Sequence, residues 1–506
     1  MTTANICILI AIIVYLMVVV AIGVRFMKGT ENTSDFYLGG RKLGPFVTAM
    51  SAEASDMSSW LLMGLPGVAY ATGLADAAWT AIGLALGTYV NWLVVAKKLR
   101  KYSEVAGNAV TVPSFFVNRY HDRKKITGII AAIVIIVFFV PYTASGFSAC
   151  GKLFSKLFGV DYMVAMLISA FVIVTYTTLG GFMAASTSDF IQSIVMTIAI
   201  FVVLGFGTVS AGGFSQVMDN AAGIAGYFSL TAIHNAATGG SDSYGFITIV
   251  STLAWGLGYF GMPHILLRFM AIEDSSKLTL SRRIATVWVV ISMAVAVFIG
   301  IIGNAMTKAG AIEELADPET IIIAIAQLIA SHGVFAALVA GVILAGILAA
   351  TMSTADSQLL AASSSASQDI LKEVFWKNMS DKAGIICARV TVVVIAVIGV
   401  FIARNPDSSV FAIVSFAWAG FGAAFGPAML FSLFWKRTNL SGVLAGMVSG
   451  GVMVFVWKFV VRPLGGAWNI YELLPAFIVS AMFIVVVSLC TKAPDEAIVK
   501  EFESVK

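Results

Sequence analysis

Apolar residues run along this chain in long uninterrupted stretches. The first, Asn5 to Val24, holds no charged residue, and about 20 such residues are enough for one helix to cross the hydrocarbon core of a bilayer. Comparable runs recur at 45–71, 77–96, 127–151, 162–182, 187–210, 244–267, 284–306, 321–356, 387–403, 409–434, 440–461 and 473–491. The pattern therefore predicts an all-α integral membrane fold of about thirteen transmembrane helices. The second and seventh runs are interrupted by residues that weaken a helix: Ser51-Ala-Glu-Ala-Ser-Asp-Met-Ser-Ser-Trp60 and Trp255-Gly-Leu-Gly-Tyr-Phe-Gly-Met-Pro263. A separation of five spans is expected when two five-helix halves of opposite topology each begin with a broken helix. Breaks at membrane depth free backbone groups, which is tolerated where they line a cavity. The plainer reading is that Gly256, Gly258 and Gly261 only permit close packing.

Composition removes the soluble alternative. Of the 506 residues 59% are hydrophobic and 11% charged, against a charged share of about 25% in globular domains. All but six of the 31 Lys and Arg fall in alternate loops of the thirteen-span scheme, at Arg25 to Lys42, Lys97 to Lys125, Arg268 to Arg283, Lys372 to Arg389, Lys436/Arg437 and the C-terminal tail. Lys152, Lys156, Lys308, Arg404, Lys458 and Arg462 take the other side. Retained basic residues mark the cytoplasmic face, so the N-terminus is expected outside and the C-terminus inside a plasma (inner) membrane. Met1 to Asn5 lacks the basic residues of a signal peptide, so the first run reads as a retained span. Cys7, Cys150, Cys387 and Cys490 show no metal-ligand spacing and read as packing residues. The four His form no HExxH, no GxSxG or P-loop is present, and an enzyme is not indicated.

Ionisable groups inside spans are costly and by default functional. Asp56 is the leading candidate, because Ser55, Ser58 and Ser59 surround it in a segment expected to unwind, where a carboxylate, hydroxyls and carbonyls suit a hard cation. Capping of a helix end is its alternative role. Glu53, Asp189, which opens the sixth span, and Asp356, which closes the ninth, are as readily placed near the cytoplasmic interface, meeting water or a lysine. In the ninth span Ser353 and Thr354 follow Ala350 by three and four positions, which puts both hydroxyls near its carbonyl. Such residues also serve as ordinary helix-packing glue. His264, beside Pro263, reads as structural.

Ser51–Gly67, Trp255–Met270, Ile347–Leu360, Phe416–Gly426 and Phe36–Gly44 resemble the proline branch of the sodium/solute symporter family, over about Tyr37 to the final span. The resemblance implies a LeuT-type core of two inverted five-helix repeats. Domains follow as 1–44 (first helix and loop), 45–210 (spans two to six), 211–435 (spans seven to eleven with the preceding external loop) and 436–506 (two last spans and tail). It implies a sodium site between the second and ninth spans, formed by the carbonyls of Ala54, Met57 and Ala350 and the hydroxyls of Ser353 and Thr354, with Asp56 essential nearby. Asp189 matches a second ion position of some relatives. For the solute it implies Ser58, Tyr142, Trp255, Tyr259 and Pro263. The expected function is sodium-coupled import of a small amino acid, L-proline, by alternating access, with sodium, solute and bilayer as the partners and neither nucleic acid nor a protein partner required. Glu53, Ser59, Met262 and Asp356 depart from the family pattern and leave open another amino acid, pantothenate or a monocarboxylate. A channel is the rival class, although no filter loop or pore ring is visible.

Overall fold

The computed structural model describes residues 2–27, 32–405 and 409–505. Lys28 and Lys506, counted above among the basic residues, lie outside them. Backbone groups in hydrocarbon must be satisfied within the segment that carries them, and the apolar runs accordingly form helices. In chain order these are α1 Thr3–Met27, α2 Pro45–Ser59, α3 Leu65–Thr72, α4 Leu74–Val105, α5 Ile126–Phe158, α6 Tyr162–Thr178, α7 Gly181–Ser210, α8 Phe246–Gly261, α9 Pro263–Ala271, α10 Ser275–Lys308, α11 Pro318–Ala330, α12 Val334–Phe375, α13 Lys382–Ile402, α14 Val410–Phe434, α15 Leu440–Leu464 and α16 Leu473–Cys490, with a short final helix α17 Glu496–Ser504. Among the described residues ten of these are long and apolar enough to cross a membrane, or eleven if the bent pair α8 and α9, at 46°, counts as one span. Of the thirteen sequence runs, 45–71 falls below that test because it is divided into α2, a π-helical turn Trp60–Gly64 and α3. The run 162–182 yields the shorter α6, ended at Gly181, whose φ of 61° no right-handed helix accepts.

Burial fixes the centre. Helices α12 and α14 are largely buried, whereas α13 and α16 are largely exposed and face outwards. Around α12 pack α1, α2, α5 and the α6–α7 pair, while α14 packs on α5, α8, α15 and α16. The hydrophilic stretch between α7 and α8 holds a helix, Phe214–Gly223, and an antiparallel hairpin, β1 Ala232–Asn235 with β2 Gly240–Ser243.

Three sequence expectations change here. The ninth run, read as 321–356, divides at Gly333, whose φ is 113°. Residues before it form α11, and α12 continues to Phe375, so Asp356 lies inside a helix rather than closing one. The serines beyond Asp356 are carried because Ser363 and Ser364 donate back to the carbonyls of Leu360 and Ala361, which lets a polar stretch remain helical and buried. Arg268, counted with a cytoplasmic loop, is buried in α9, as are Arg100 and Arg119 elsewhere. Cys490 is exposed at the end of α16 rather than packed.

Candidate ion and solute site

The break after α2 centres on Ser58. Its backbone sits at φ 50°, ψ −172°, a region that is essentially glycine's and costs other residues about 1–3 kcal/mol. The Trp60 amide beyond the break is shared between Ser58 Oγ, at 3.0 Å, and the Met57 carbonyl. Ser58 thus breaks the helix and caps its continuation at the same point.

The second break has a different construction. Ala254–Gly261 winds as a 3₁₀ helix of eight residues, longer than such turns usually run, and then Met262 is extended before Pro263 starts α9. The glycines do serve packing: a methyl group on Gly256 would collide with the Gly83 carbonyl of α4, and one on Gly258 with the Trp418 indole. Tight winding also releases carbonyls to side chains. Trp418 Nε1 donates to the Trp255 carbonyl at 2.7 Å and Asn91 Nδ2 to the Tyr259 carbonyl at 3.0 Å. Close packing and freed backbone groups are therefore two results of one glycine pattern.

Asp56 lies between the two breaks. Tyr259 Oη donates to its Oδ2 at 2.5 Å, Tyr142 Oη donates to its backbone carbonyl at 3.3 Å, and its Oδ1 is buried with no hydrogen-bond partner among the described residues. Two residues earlier, the Ala54 carbonyl accepts from Ser353 Oγ at 2.8 Å. Ser353 and Thr354 both also reach the Ala350 carbonyl at 3.2 Å. Four oxygens from α2 and α12 thus converge, two of them hydroxyls free to turn their protons away and present lone pairs. Carbonyls and hydroxyls brought together in this way suit a small hard cation, and the unpartnered Asp56 oxygen exacts a desolvation cost that a cation within its reach would relieve.

Asp56, Met57, Tyr142 and Trp255 line one small cavity with Trp60, Leu84, Val414 and Trp418, of about 10 Å³ and with room for about one water molecule. Aromatic rings close it. Trp60 and Trp255 lie 5.6 Å apart, and both pack on Phe411, at 5.9 and 5.4 Å. Tyr471 stacks on Trp255 at 5.0 Å, and Tyr259 meets Trp418 edge-on at the same distance. Of the residues expected at the solute, Ser58, Tyr259 and Pro263 do not line the cavity: Ser58 makes the break beside it, Tyr259 reaches Asp56, and Pro263 starts α9. His264 is buried against Phe139. Trp60, Phe411, Trp418 and Tyr471 were not singled out from the sequence, although Trp60 and Trp418 lie inside motifs quoted for the resemblance. On the far side of Phe411 a wider cavity of about 440 Å³ reaches Gly64, Lys152 and Glu319. There Glu319 accepts from the amides of Val410 and Phe411 and from Ser409 Oγ, and so holds the start of α14, with Lys152 at 3.1 Å.

The remaining acidic candidates are not at an interface. Glu53, Asp189 and Asp356 are 1%, 0% and 0% exposed, which corrects the expectation that they meet water or a lysine. Trp92 Nε1 donates to Glu53 Oε1 at 2.8 Å. Asp189 Oδ2 accepts from Ser51 Oγ at 2.7 Å and from Arg268 Nη2 at 3.1 Å. Arg268 also donates to Ser51 Oγ, Ser357 Oγ and the His264 carbonyl. Asp356 accepts from Ser357 and Tyr176 at 3.1 Å each. Arg268 is thus the fixed cation that makes burial of Asp189 tolerable, a role the sequence hid by placing it at the edge of a basic segment.

Residues 36–450 match the model of the sodium:solute symporter family. A sodium/proline symporter of Staphylococcus aureus is 41% identical over 503 residues, covering 98% of this chain and 95% of that protein. The sodium/proline symporter of S. aureus strain USA300 / TCH1516 is likewise 41% identical, over 504 residues and the same shares. Among solved structures, a substrate-bound, outward-open Na⁺-coupled sialic acid symporter superimposes with a TM-score of 0.79 at 16% identity, covering 97% of this chain and 99% of that one. The nucleobase-cation-symport-1 family transporter Mhp1, in a closed conformation, does so at 0.51 and 14%, with 94% and 99% covered. The chain belongs to the sodium:solute symporter family and is a multi-pass membrane transporter, not an enzyme.

Proposed function

We propose that this protein imports a small amino acid, L-proline, together with sodium by alternating access. The observation that carries the reading is the meeting of the α2 segment before the Ser58 break with α12: the Ala54, Ala350, Ser353 and Thr354 oxygens converge there, and two residues on from Ala54 the buried Asp56 carboxylate, with one oxygen unpartnered, lines an aromatic-walled cavity. Sodium takes the oxygen cluster between α2 and α12, with Met57 contributing through the same unwound turn. The solute takes the aromatic-walled cavity once the rings that close it part: Tyr142 and Trp255 line it, Ser58 and Tyr259 adjoin its lining residues Met57 and Asp56, and together they offer dipoles and ring faces to a zwitterion with an apolar ring, while Pro263 sets the direction of α9. Asp189 is a second ion position only through Oδ1, because Oδ2 already accepts from Ser51 and Arg268. The names of the S. aureus relatives support proline.

The same reading assigns thirteen spans to the chain, two inverted five-helix repeats at 45–210 and 211–435, and a plasma membrane orientation with the N-terminus outside. It is supported by the distribution of basic residues and by the two differently broken helices five runs apart. The wider cavity above Phe411, with Lys152 on its wall, then faces outwards. Sodium entry stabilises the unwound turn, the solute completes the site, and the membrane potential adds about 2.3 kcal/mol per charge per 100 mV.

Uptake of radiolabelled proline into proteoliposomes tests this. Uptake that saturates, requires an inward sodium gradient, and disappears in Asp56→Cys while the protein remains in the vesicles is the expected result. Sodium-driven uptake of another amino acid, pantothenate or a monocarboxylate but not of proline would refute the solute. Uptake indifferent to sodium, or non-saturating conduction, would refute the coupling.

A further inference from the structure

A groove of about 500 Å³ runs between α7 and α10, separate from the cavity at Asp56. Thr197, Ile200 and Phe201 of α7 form one wall, Val287 and Ile291 of α10 the other, and Met50 of α2 lies at the bottom. Val287, Ile291 and Phe201 are 59%, 45% and 46% exposed, so the groove opens on the face that meets lipid. Its shape is held by a specific contact, Trp288 Nε1 donating to Thr197 Oγ1 at 2.9 Å, with Thr197 Oγ1 donating in turn to the Ser193 carbonyl. Only one charged residue touches it. Arg283 lies at one end, exposed, and forms no ion pair or hydrogen bond among the described residues.

Length and charge together define an occupant. From Arg283 to Ser292, the last lining residue on α10, is nine helical steps, or about 14 Å, close to half of the ~30 Å hydrocarbon core. A groove one leaflet deep, closed by an unpaired guanidinium at the end where a head group lies, matches one acyl chain beneath an anionic phosphate. A second lipid-facing groove, between α5 and α15 at Val134 and Val448, is lined by apolar residues alone and lacks this feature. Arg282, the neighbour of Arg283, is turned away over the Tyr89 ring at 5.7 Å.

We propose that the α7–α10 groove is a binding site for an anionic phospholipid, with one acyl chain against Trp288 and Ile291 and the phosphate on Arg283. Bound there, the lipid bridges α7 and α10 and covers Met50 of the broken-helix arm. The site is independent of which solute is carried.

The test is native mass spectrometry of the full-length protein released from micelles with phosphatidylglycerol or phosphatidylcholine, alongside thermal unfolding in the same detergent. Phosphatidylglycerol should be retained in preference to phosphatidylcholine, and Arg283→Gln should reduce that preference about five-fold, the weight of one basic residue at a membrane surface. Val287→Trp, which fills the groove, should reduce retention of both lipids. Arg282→Gln should leave the preference in place. Equal retention of the two lipids by the unsubstituted protein would overturn the proposal. So would a loss in Arg282→Gln matching that in Arg283→Gln, since it would indicate diffuse attraction to a basic surface. If Arg283→Gln unfolds in detergent, Val287→Trp decides: undiminished phosphatidylglycerol retention by that variant also refutes the site.

Discussion

Replacing Tyr259 by Phe removes one oxygen from the centre of the site. Tyr259 is 1% exposed, and its hydroxyl is the sole hydrogen-bond donor to the Asp56 carboxylate among the described residues. The ring keeps its edge-on contact with Trp418 at 5.0 Å, so packing changes little. Hydrogen bonds to a charged group contribute about 1.5–3 kcal/mol net, and the carboxylate in Tyr259→Phe would have neither oxygen satisfied. The hydroxyl serves the charged carboxylate, so its loss favours the neutral acid, which holds no cation; at about 1.4 kcal/mol per decade the cost corresponds to a ten- to hundred-fold rise in the sodium concentration giving half-maximal uptake. Initial rates of proline uptake into proteoliposomes, measured across a sodium series at fixed potential, provide the assay. The coupling between the residues supplies a second check, read as thermal stability because uptake is lost without the Asp56 carboxylate: in an Asp56→Asn background the further change Tyr259→Phe should add little, because the charge that the hydroxyl serves is gone. Half-saturation within about two-fold of the unsubstituted protein, or fully additive effects in the double variant, would refute the view that Tyr259 acts through Asp56.

Ser353→Ala removes the hydroxyl joining the Ala54 and Ala350 carbonyls; at about 0.5–1.5 kcal/mol it should raise the sodium half-saturation roughly two- to ten-fold in the same assay, with expression unchanged. Ser58→Gly and Ser58→Ala both lose the cap on the Trp60 amide, yet only glycine relieves the backbone at φ 50°, so the glycine variant should be the more stable by about 1–3 kcal/mol, seen as a higher thermal midpoint. In a regular helix interior the order is reversed, and that outcome would show the helix to be unbroken at Ser58. Arg268→Met leaves Asp189 as a buried charge without its cation and should cost about 3–5 kcal/mol, read as lost thermal stability, whereas Arg268→Met with Asp189→Leu should recover much of it.

Periodicity and charge are local properties, and the features that depend on them were legible from residue order. The long apolar runs, the alternate placement of Lys and Arg, and both helix breaks could be located without coordinates, because a helix in lipid satisfies its own backbone and an interruption such as Gly256-Leu-Gly-Tyr-Phe-Gly261 leaves a mark in composition. The Ser353 and Thr354 hydroxyls beside Ala350 were equally readable, since three and four steps share a helix face. Other features needed the folded chain. Asp56 and Tyr259 stand 203 positions apart, and no local pattern indicates that their side chains meet. Arg268 reads as the start of a cytoplasmic loop until α9 places it against Asp189. Asp356 reads as the end of a span because serines follow it, and only back-bonded hydroxyls keep that stretch helical and buried. Sequence by itself determined that this is a membrane protein of many helices with two deliberate breaks, since each helix must satisfy its own backbone. Which carboxylates received a hydroxyl, an arginine or no partner was decided by tertiary packing alone, because a buried charge takes its partner from whichever distant helix lies against it.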